Sequence, residues 1–405
     1  MLIYIIGLGY VGLPLAIQVS KSGHKVIGFD TSTDKIKRLN QGISDIPGTS
    51  RPEIINLIKK GDLKFVSKLP KSLTESIYII AVPTPLNVNL KPDTKFLENA
   101  CDFISESISE NSLIISESTS YIGTLRNLIK PRIDLKSGLS NLKYAVAPER
   151  VDPGNTQWDL SNTPRVMSGL TLEATKQAEG FYKKICNVIV TVSSPEVAEA
   201  SKLLENTFRQ VNIALINEFS DITNGFGILT NEVISAAATK PFGFMAFHPG
   251  VGVGGHCIPI DPAYLTYSAN LVGVESKIIE TSNLVNLTRF KVIASRIEEV
   301  VSSSLKGAKI QVAGVAYKVG VSDIRESPAI KLIYELRRRG AIVSWHDPLV
   351  NSFELEGSVP MSSEIDLGLI MIPHSQIDFR IWKTSGIKVF DLSSTPTNFG
   401  WPKFI

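Results

Sequence analysis

Three cysteines in 405 residues, Cys101, Cys186 and Cys257, form no metal-binding spacing, and any pairing leaves one over. Their scarcity excludes a disulfide scaffold and points to a reducing, cytoplasmic location. An excess of one charge is also missing: the formal net charge is only +3, with basic residues spread among acidic ones. A dedicated nucleic-acid binder needs a clustered basic surface, so nucleic acid is not an expected partner. No long hydrophobic run occurs either. The opening stretch MLIYIIGLGYVGLPLAIQV is apolar, but it has no basic leader and is cut at Gly7, Gly9, Gly12 and Pro14. It reads as a strand and a helix start, and neither a signal peptide nor a membrane partner is expected. What remains is an ordinary composition, 43% hydrophobic and 20% charged, over a length that allows two or three domains.

The N-terminal stretch carries the first specific signal. An apolar run over residues 2 to 6 meets Gly7-Leu-Gly9-Tyr10-Val11-Gly12, a helical pattern follows up to Gly23, and a second strand ends at Asp30. Strand, glycine turn, helix and strand with a terminal acid is the context that turns a weak GxGxxG into a dinucleotide fingerprint. The first glycine permits the tight turn, the second admits the pyrophosphate, and the third lets helix pack on strand. Asp30 suits a ribose diol and would repel a 2′-phosphate, so NAD is expected in preference to NADP.

Further strands are expected at 63–66, 77–82, 113–116 and 144–146, alternating with helices in a parallel, doubly wound sheet. Ligands collect at the carboxyl ends of such strands. That brings in the turns Val82-Pro-Thr84-Pro85, Glu117-Ser-Thr119 and Ala147-Pro-Glu149-Arg150-Val151, for each of which a turn or capping role is an equal reading. Ser194 suits a cap and Pro195 the first helical position, and from there the pattern becomes one unbroken helix of about thirty residues with no further Gly or Pro. Lys202, Asn206 and Arg209 share one of its faces at i, i+4 and i+7. Residues up to about 301 read as mainly helical and could build a dimer interface. The last hundred residues restart an α/β pattern, with strands at 309–316, 341–345, 367–372 and 387–390 and a helix from Ser327 to Gly340. The fold class is α/β, with two Rossmann-like doubly wound domains joined by a long central helix and a helical middle domain. Boundaries fall at 1–190, 191–303 and 304–405.

Between the helices lies His248-Pro-Gly-Val-Gly-Val-Gly-Gly-His256-Cys257-Ile-Pro-Ile-Asp261. Glycines let a ligand approach the backbone and prolines stiffen the far side, so Cys257 reads as presented to a small molecule. The alternative is a small buried hydrophobe in a glycine-rich loop.

Five pieces together, IGLGYVGLP at 6–14, PER at 148–150, KLLENTFRQVN at 202–212, GGHCIPIDP at 254–262 and AYKVGVSDIRESPA at 316–329, resemble the UDP-sugar 6-dehydrogenases along essentially the whole chain. Within that family, PERVDPGN, Arg209 and TKPFGFMAFHPGVGVGGHC look like the branch acting on UDP-N-acetylhexosamines, UDP-N-acetylglucosamine foremost. The resemblance implies a four-electron oxidation of a sugar C6 alcohol with two NAD in turn, feeding surface polysaccharide. It implies Cys257 as the nucleophile, Lys202 and Asn206 as oxyanion donors, and Asp261 as a carboxylate orienting water or lysine. Glu149 would serve thioester hydrolysis and Thr119 would lie near the nicotinamide. For NAD it implies Gly7, Gly9, Tyr10, Val11, Gly12, Asp30, Lys35, Thr84, Thr119 and Arg325. For the UDP-sugar it implies Glu149, Arg150, Val151, Lys202, Asn206, Arg209, Gly254, Tyr317 and Lys318, in a homodimer or higher oligomer built through the central helices. Where relatives reach across subunits with an arginine, this chain has Lys240. UDP-ManNAc, UDP-glucose or UDP-GalNAc oxidation, a two-electron hydroxyacid dehydrogenase and a silent nucleotide-sugar binder are the alternatives.

Overall fold

Strands β1 (Leu2–Ile6) and β4 (Ser76–Ile80) are short apolar runs whose side chains are almost all buried. Such continuous burial belongs to a parallel sheet covered on both faces. The computed structural model describes residues 1–405 apart from 47, 153, 154, 156, 302, 303, 395–399 and 402. Pro153 and Gly154 of the PERVDPGN stretch, and position 303 at the second expected boundary, lie outside the described residues.

The remaining elements of the first sheet and its cover are α1 (Gly12–Lys21), β2 (Lys25–Phe29), α2 (Thr33–Asn40), α3 (Arg51–Lys60), β3 (Leu63–Val66), α4 (Lys95–Ser107), β5 (Leu113–Ser116), a π-helical turn (Leu125–Ile129), α5 (Lys130–Ser137), β6 (Lys143–Val146), β7 (Arg165–Gly169), α6 (Leu172–Tyr182) and β8 (Ile189–Thr191). After them come α7 (Pro195–Gly225), α8 (Thr230–Ala237), α9 (Asp261–Leu271), α10 (Lys277–Val301), β9 (Lys309–Ala313), α11 (Pro328–Arg338), β10 (Ile342–His346), the short pair β11 (Ser352–Phe353) and β12 (Glu356–Gly357), β13 (Leu367–Ile370), α12 (Arg380–Thr384) and β14 (Lys388–Asp391). The chain divides into two compact units, Met1–Glu205 with Ala263–Gly273, and Asn206–Pro262 with Val274–Ile405.

In the first unit the sheet order is β3-β2-β1-β4-β5-β6-β7-β8. Alternate residues of a strand face opposite sides. Ile3 and Ile5 therefore pack with Leu13, Ala16 and Ile17 of α1, while Tyr4 and Ile6 pack with Leu97, Cys101 and Ile104 of α4. Two features depart from the sequence expectation. The pair β6/β7 is antiparallel, Ala145 facing Gly169, and the edge β7-β8 had no counterpart among the expected strands. Its first residue is a buried arginine, and β8 is only three residues long.

In the second unit, β10-β9-β13-β14 form an all-parallel sheet. The strand expected over 309–316 stops at Ala313 because Gly314 turns the chain at φ +83. A Cβ there would lie 2.1 Å from the Ile372 carbonyl oxygen, so only glycine fits. At the end of β10, Asp347 accepts the backbone N–H groups of Val315 (2.7 Å), Ala316 (3.1 Å), Leu349 (2.8 Å) and Val350 (3.1 Å), with His374 Nε2 3.3 Å away. The run without Gly or Pro after Ser194 is one 31-residue helix, α7, and α8 to α10 give the helical middle expected up to about residue 301. Among the described residues no helix is long and apolar enough to cross a membrane.

Candidate active site

The glycine turn of the first unit is shaped by the backbone around it. Gly7 sits at φ +96, and a Cβ on it would meet the Ala81 carbonyl oxygen at 2.6 Å. A Cβ on Gly12 would come within 1.8 Å of the Gly7 carbonyl oxygen, so α1 lies directly against the turn. Gly9 differs: none of the described residues lies within 4 Å of where its Cβ would be. Open space of this kind, at the N-terminus of α1, is what a pyrophosphate approaching the backbone would need. Tyr10 and Val11 complete the turn, Val11 as the residue before the helix.

Asp30, at the end of β2, accepts N–H bonds from Leu8 (3.1 Å) and Ser32 (3.0 Å) and pairs with Lys35 Nζ at 2.7 Å. Its carboxylate is thus fixed beside the turn, with oxygens able to accept from a ribose diol. Thr84 and Thr119 are half-buried in the loops after β4 and β5, at carboxyl ends of strands. Ser118 ties these loops together by donating its hydroxyl to the Val82 carbonyl at 2.8 Å. These residues fit a dinucleotide with free ribose hydroxyls.

The loop after β6 brings a second group together in the same unit. Glu149 is buried, and its Oε1 accepts the backbone N–H of Arg150 and Val151, each at 2.7 Å, while Oε2 accepts from Arg165 at 2.8 Å. Burial pushes its carboxyl up, but the Arg165 guanidinium and the two amides outweigh that and hold it below the usual range. Arg150 pairs with Glu205 at 2.8 Å and donates to the Pro164 carbonyl at 2.7 Å. Lys202 is half-buried on α7, one turn before Asn206.

In the second unit Asn206 is buried, and its amide donates to Asp261, the first residue of α9. Cys257 stands one turn earlier, with its carbonyl accepting N–H bonds from Ile260 (3.0 Å) and Asp261 (2.8 Å). The chain's other thiols are closed in: burial pushes Cys101 up to about 12 and raises Cys186 as well. Cys257 is half-exposed, so it alone of the three combines access with a polar setting. The loop before it is wedged against the strand β9 exit. A Cβ on Gly254 would lie 2.8 Å from Tyr317 Cβ, and one on Gly255 3.0 Å from the Tyr317 ring. Gly255 N–H donates to the Arg325 carbonyl, Arg325 Nη2 lies 3.2 Å from His256 Nδ1, and the same guanidinium is clamped by Asp323. Cys257, Gly254, Tyr317 and Arg325 therefore gather around one loop, with Lys318 next in the chain. Arg209 is exposed, as is Lys240, whose Nζ lies over the Phe242 ring at 4.9 Å. Sequence reasoning did not single out Arg165 or Tyr182, since neither stands in a recognisable motif.

The chain belongs to the UDP-glucose/GDP-mannose dehydrogenase family. The NAD binding domain of that family matches residues 1–186, its central domain 196–288 and its UDP binding domain 311–385. NAD is accordingly the cofactor, and the family resemblance read from the five motifs holds. The chain is 34% identical over 390 residues to the UDP-N-acetyl-D-glucosamine 6-dehydrogenase of Salmonella typhi, covering 92% of this chain and 90% of that protein. It is 35% identical over 362 residues to the UDP-N-acetyl-D-mannosamine dehydrogenase of Pyrococcus horikoshii, covering 86% and 84%. The solved structure of the UDP-D-ManNAc dehydrogenase from that organism superposes with a TM-score of 0.88 at 31% identity, covering 100% of this chain and 97% of that one.

Proposed function

We propose that the chain oxidises the C6 alcohol of a UDP-N-acetylhexosamine, with UDP-N-acetylglucosamine as the favoured substrate, to the uronic acid for surface polysaccharide. Both UDP-N-acetylglucosamine and UDP-N-acetylmannosamine enzymes stand among its relatives, and the sequence motifs favour the former. The observation that carries the reading is Cys257, a half-exposed thiol held in a glycine-rich loop beside the Tyr317–Arg325 segment.

NAD, held by the Gly7–Gly12 turn and Asp30, supplies a hydride acceptor twice per sugar. The alcohol loses a hydride and a proton to become an aldehyde. The Cys257 sulfur then bonds to the aldehyde carbon, giving a thiohemiacetal with its oxygen protonated. Loss of a second hydride and a proton leaves a thioester. Water adds to the thioester carbon, the C–S bond breaks, and the thiolate leaves as the carboxylate forms. The balance is one alcohol, two NAD and one water giving one carboxylate, two NADH and three protons. Lys202 and the Asn206 amide act as donors to the C6 oxygen; the bond to Asp261 orients that amide. Glu149, ionised and fixed by three donors, serves the incoming water. Thr119 lies near the nicotinamide; Arg150, Val151, Arg209, Gly254, Tyr317 and Lys318 hold the UDP-sugar.

The domains are proposed to end near 190 and 303. The stripe Phe208, Leu215 and Ile222 on α7, with Phe226 just past its end, all more than 45% exposed, supports a homodimer through the central helices. The test is a panel of UDP-sugars with NAD. Two NADH per UDP-N-acetylglucosamine support the reading, one NADH removes the thioester step, and binding without NADH overturns catalysis. Cys257→Ser should abolish the second oxidation; full double turnover in that variant refutes the nucleophile.

A further inference from the structure

Behind Glu149 lies a buried cluster that the reaction above leaves unused. Arg165, the first residue of β7, is 3% exposed and stands between two carboxylates, those of Glu149 and Glu117. Its Nη2 donates to Glu149 Oε2 at 2.8 Å, and its Nη1 donates to the Ala147 carbonyl at 3.2 Å. Glu117, at the end of β5, is 1% exposed. Its Oε1 accepts from the Tyr182 hydroxyl at 2.6 Å. Its Oε2 lies 3.1 Å from Arg165 Nη1, and among the described residues no aligned donor reaches it. The Arg165 guanidinium also sits 4.9 Å from the centre of the Tyr182 ring.

Two carboxylates around one guanidinium would bury a net negative charge, which low-dielectric surroundings oppose strongly. A proton removes it, and among the described residues Glu117 Oε2 is the carboxylate oxygen of the cluster without an aligned donor. We propose that Glu117 Oε2 carries a proton shared electrostatically with Glu149 through Arg165, making Glu117 and Arg165 positioning residues that set how strongly Glu149 binds a proton. While Glu117 is protonated, the guanidinium charge falls on Glu149 and keeps it ionised. When Glu117 ionises it competes for that charge, and Glu149 becomes the stronger base. The groups facing Glu117 are Arg165 on β7, Glu149 after β6, Tyr182 on α6 and, beyond Arg165, Cys186. Burial, opposed by Arg165 and reinforced by Glu149, pushes Glu117 up to about 7, in line with the empty oxygen. The coupling of the pair follows from geometry; its bearing on turnover rests on the proposed role of Glu149.

The test is an infrared pH titration of the protonated-carboxyl band, wild type against Glu117→Gln. A band that disappears near pH 7 in wild type and is missing from Glu117→Gln supports the proposal. Glu199 is pushed up to about 7 as well, so the titration is repeated in a Glu199→Gln background to leave Glu117 alone in that window. An unchanged band in Glu117→Gln overturns the proposal. Should Glu117→Gln fail to fold, Tyr182→Phe removes one donor to the carboxylate and should move the band's disappearance to higher pH; no movement overturns the proposal. The second readout is the pH–rate profile: Glu117→Gln should remove the change in rate near pH 7 that accompanies Glu117 ionisation and leave the acid limb, where Glu117 is already protonated, in place. Glu149→Gln separates the two readings: unimpaired turnover there refutes the role of Glu149, while the infrared result still decides the shared proton.

Discussion

Alanine at Gly9 and alanine at Gly12 should fail in opposite ways, although the two positions stand three residues apart in one motif. A Cβ on Gly12 would lie 1.8 Å from the Gly7 carbonyl oxygen, and 3.0 Å is the closest that real Cβ atoms come to a neighbour. Helix α1 must therefore back away by at least 3.0 − 1.8 = 1.2 Å. The obstacle is backbone, which cannot rotate aside, and α1 carries Leu13, Ala16 and Ile17 of the core with it. Overpacking of this kind costs about 3 kcal/mol, the upper end of the usual range. For a unit of this size that corresponds to a melting shift of roughly 6–12 °C. At Gly9 the same Cβ meets no protein atom within 4 Å. Stability should stay within about 0.5 kcal/mol of wild type. The methyl instead occupies the space the pyrophosphate needs, so NAD affinity should fall by about tenfold or more, or 1.4 kcal/mol. Scanning calorimetry of the chain without NAD, with titration calorimetry of NAD, reads both quantities. A Gly9→Ala chain that melts early, or a Gly12→Ala chain with wild-type melting, would refute the placement of the turn.

Two further outcomes follow from buried carboxylates. Asp347→Ala strips the acceptor from four backbone N–H groups and should destabilise the second unit by at least about 3 kcal/mol, measured by urea unfolding. Glu199 accepts the N–H groups of Gly123 (2.6 Å) and Leu125 (3.0 Å), yet burial, the largest influence, pushes it up to about 7 from 4.5. A raised folded pKa gives stability that is complete below about 4.5 and lost as pH rises through 7. Melting temperatures of Glu199→Gln should therefore show a shallower decline over that window than wild type; an equal slope would contradict the assignment.

Much of the first sheet was legible because its inner strands, buried on both faces, are apolar runs; Leu113–Ser116 fell where the sequence put it, as did the edge strand Leu63–Val66 with its exposed Lys64. The 31-residue α7 was legible for a different reason, the lack of any breaker between Pro195 and Gly225. Strand ends were less visible. Gly314 stops β9 three residues early through its backbone conformation, which hydropathy does not register. The edge β7-β8 escaped because its inward arginine pairs with two acids that lie 16 and 48 residues earlier in the chain, and only the fold supplies such partners. The same distance hid Arg165 and Tyr182, whereas Cys257, Asp30 and Asn206 stood in local motifs.

The second unit repeats a strand, a glycine at positive φ and an acid at the end of the neighbouring strand, as Gly7 with Asp30 and Gly314 with Asp347 do. The two acids have met different fates. Asp30 accepts two backbone amides and keeps a side chain 12% open to solvent, whereas Asp347 answers four amides and is sealed at 0%. What is a socket in the first unit is a rivet in the second: a carboxylate committed to its own loop has no lone pair to offer a visiting ribose. Any nucleotide docking on that sheet must therefore be recognised by other side chains, and redesigning it to take NAD would have to begin by freeing Asp347 from the amides of its own loop.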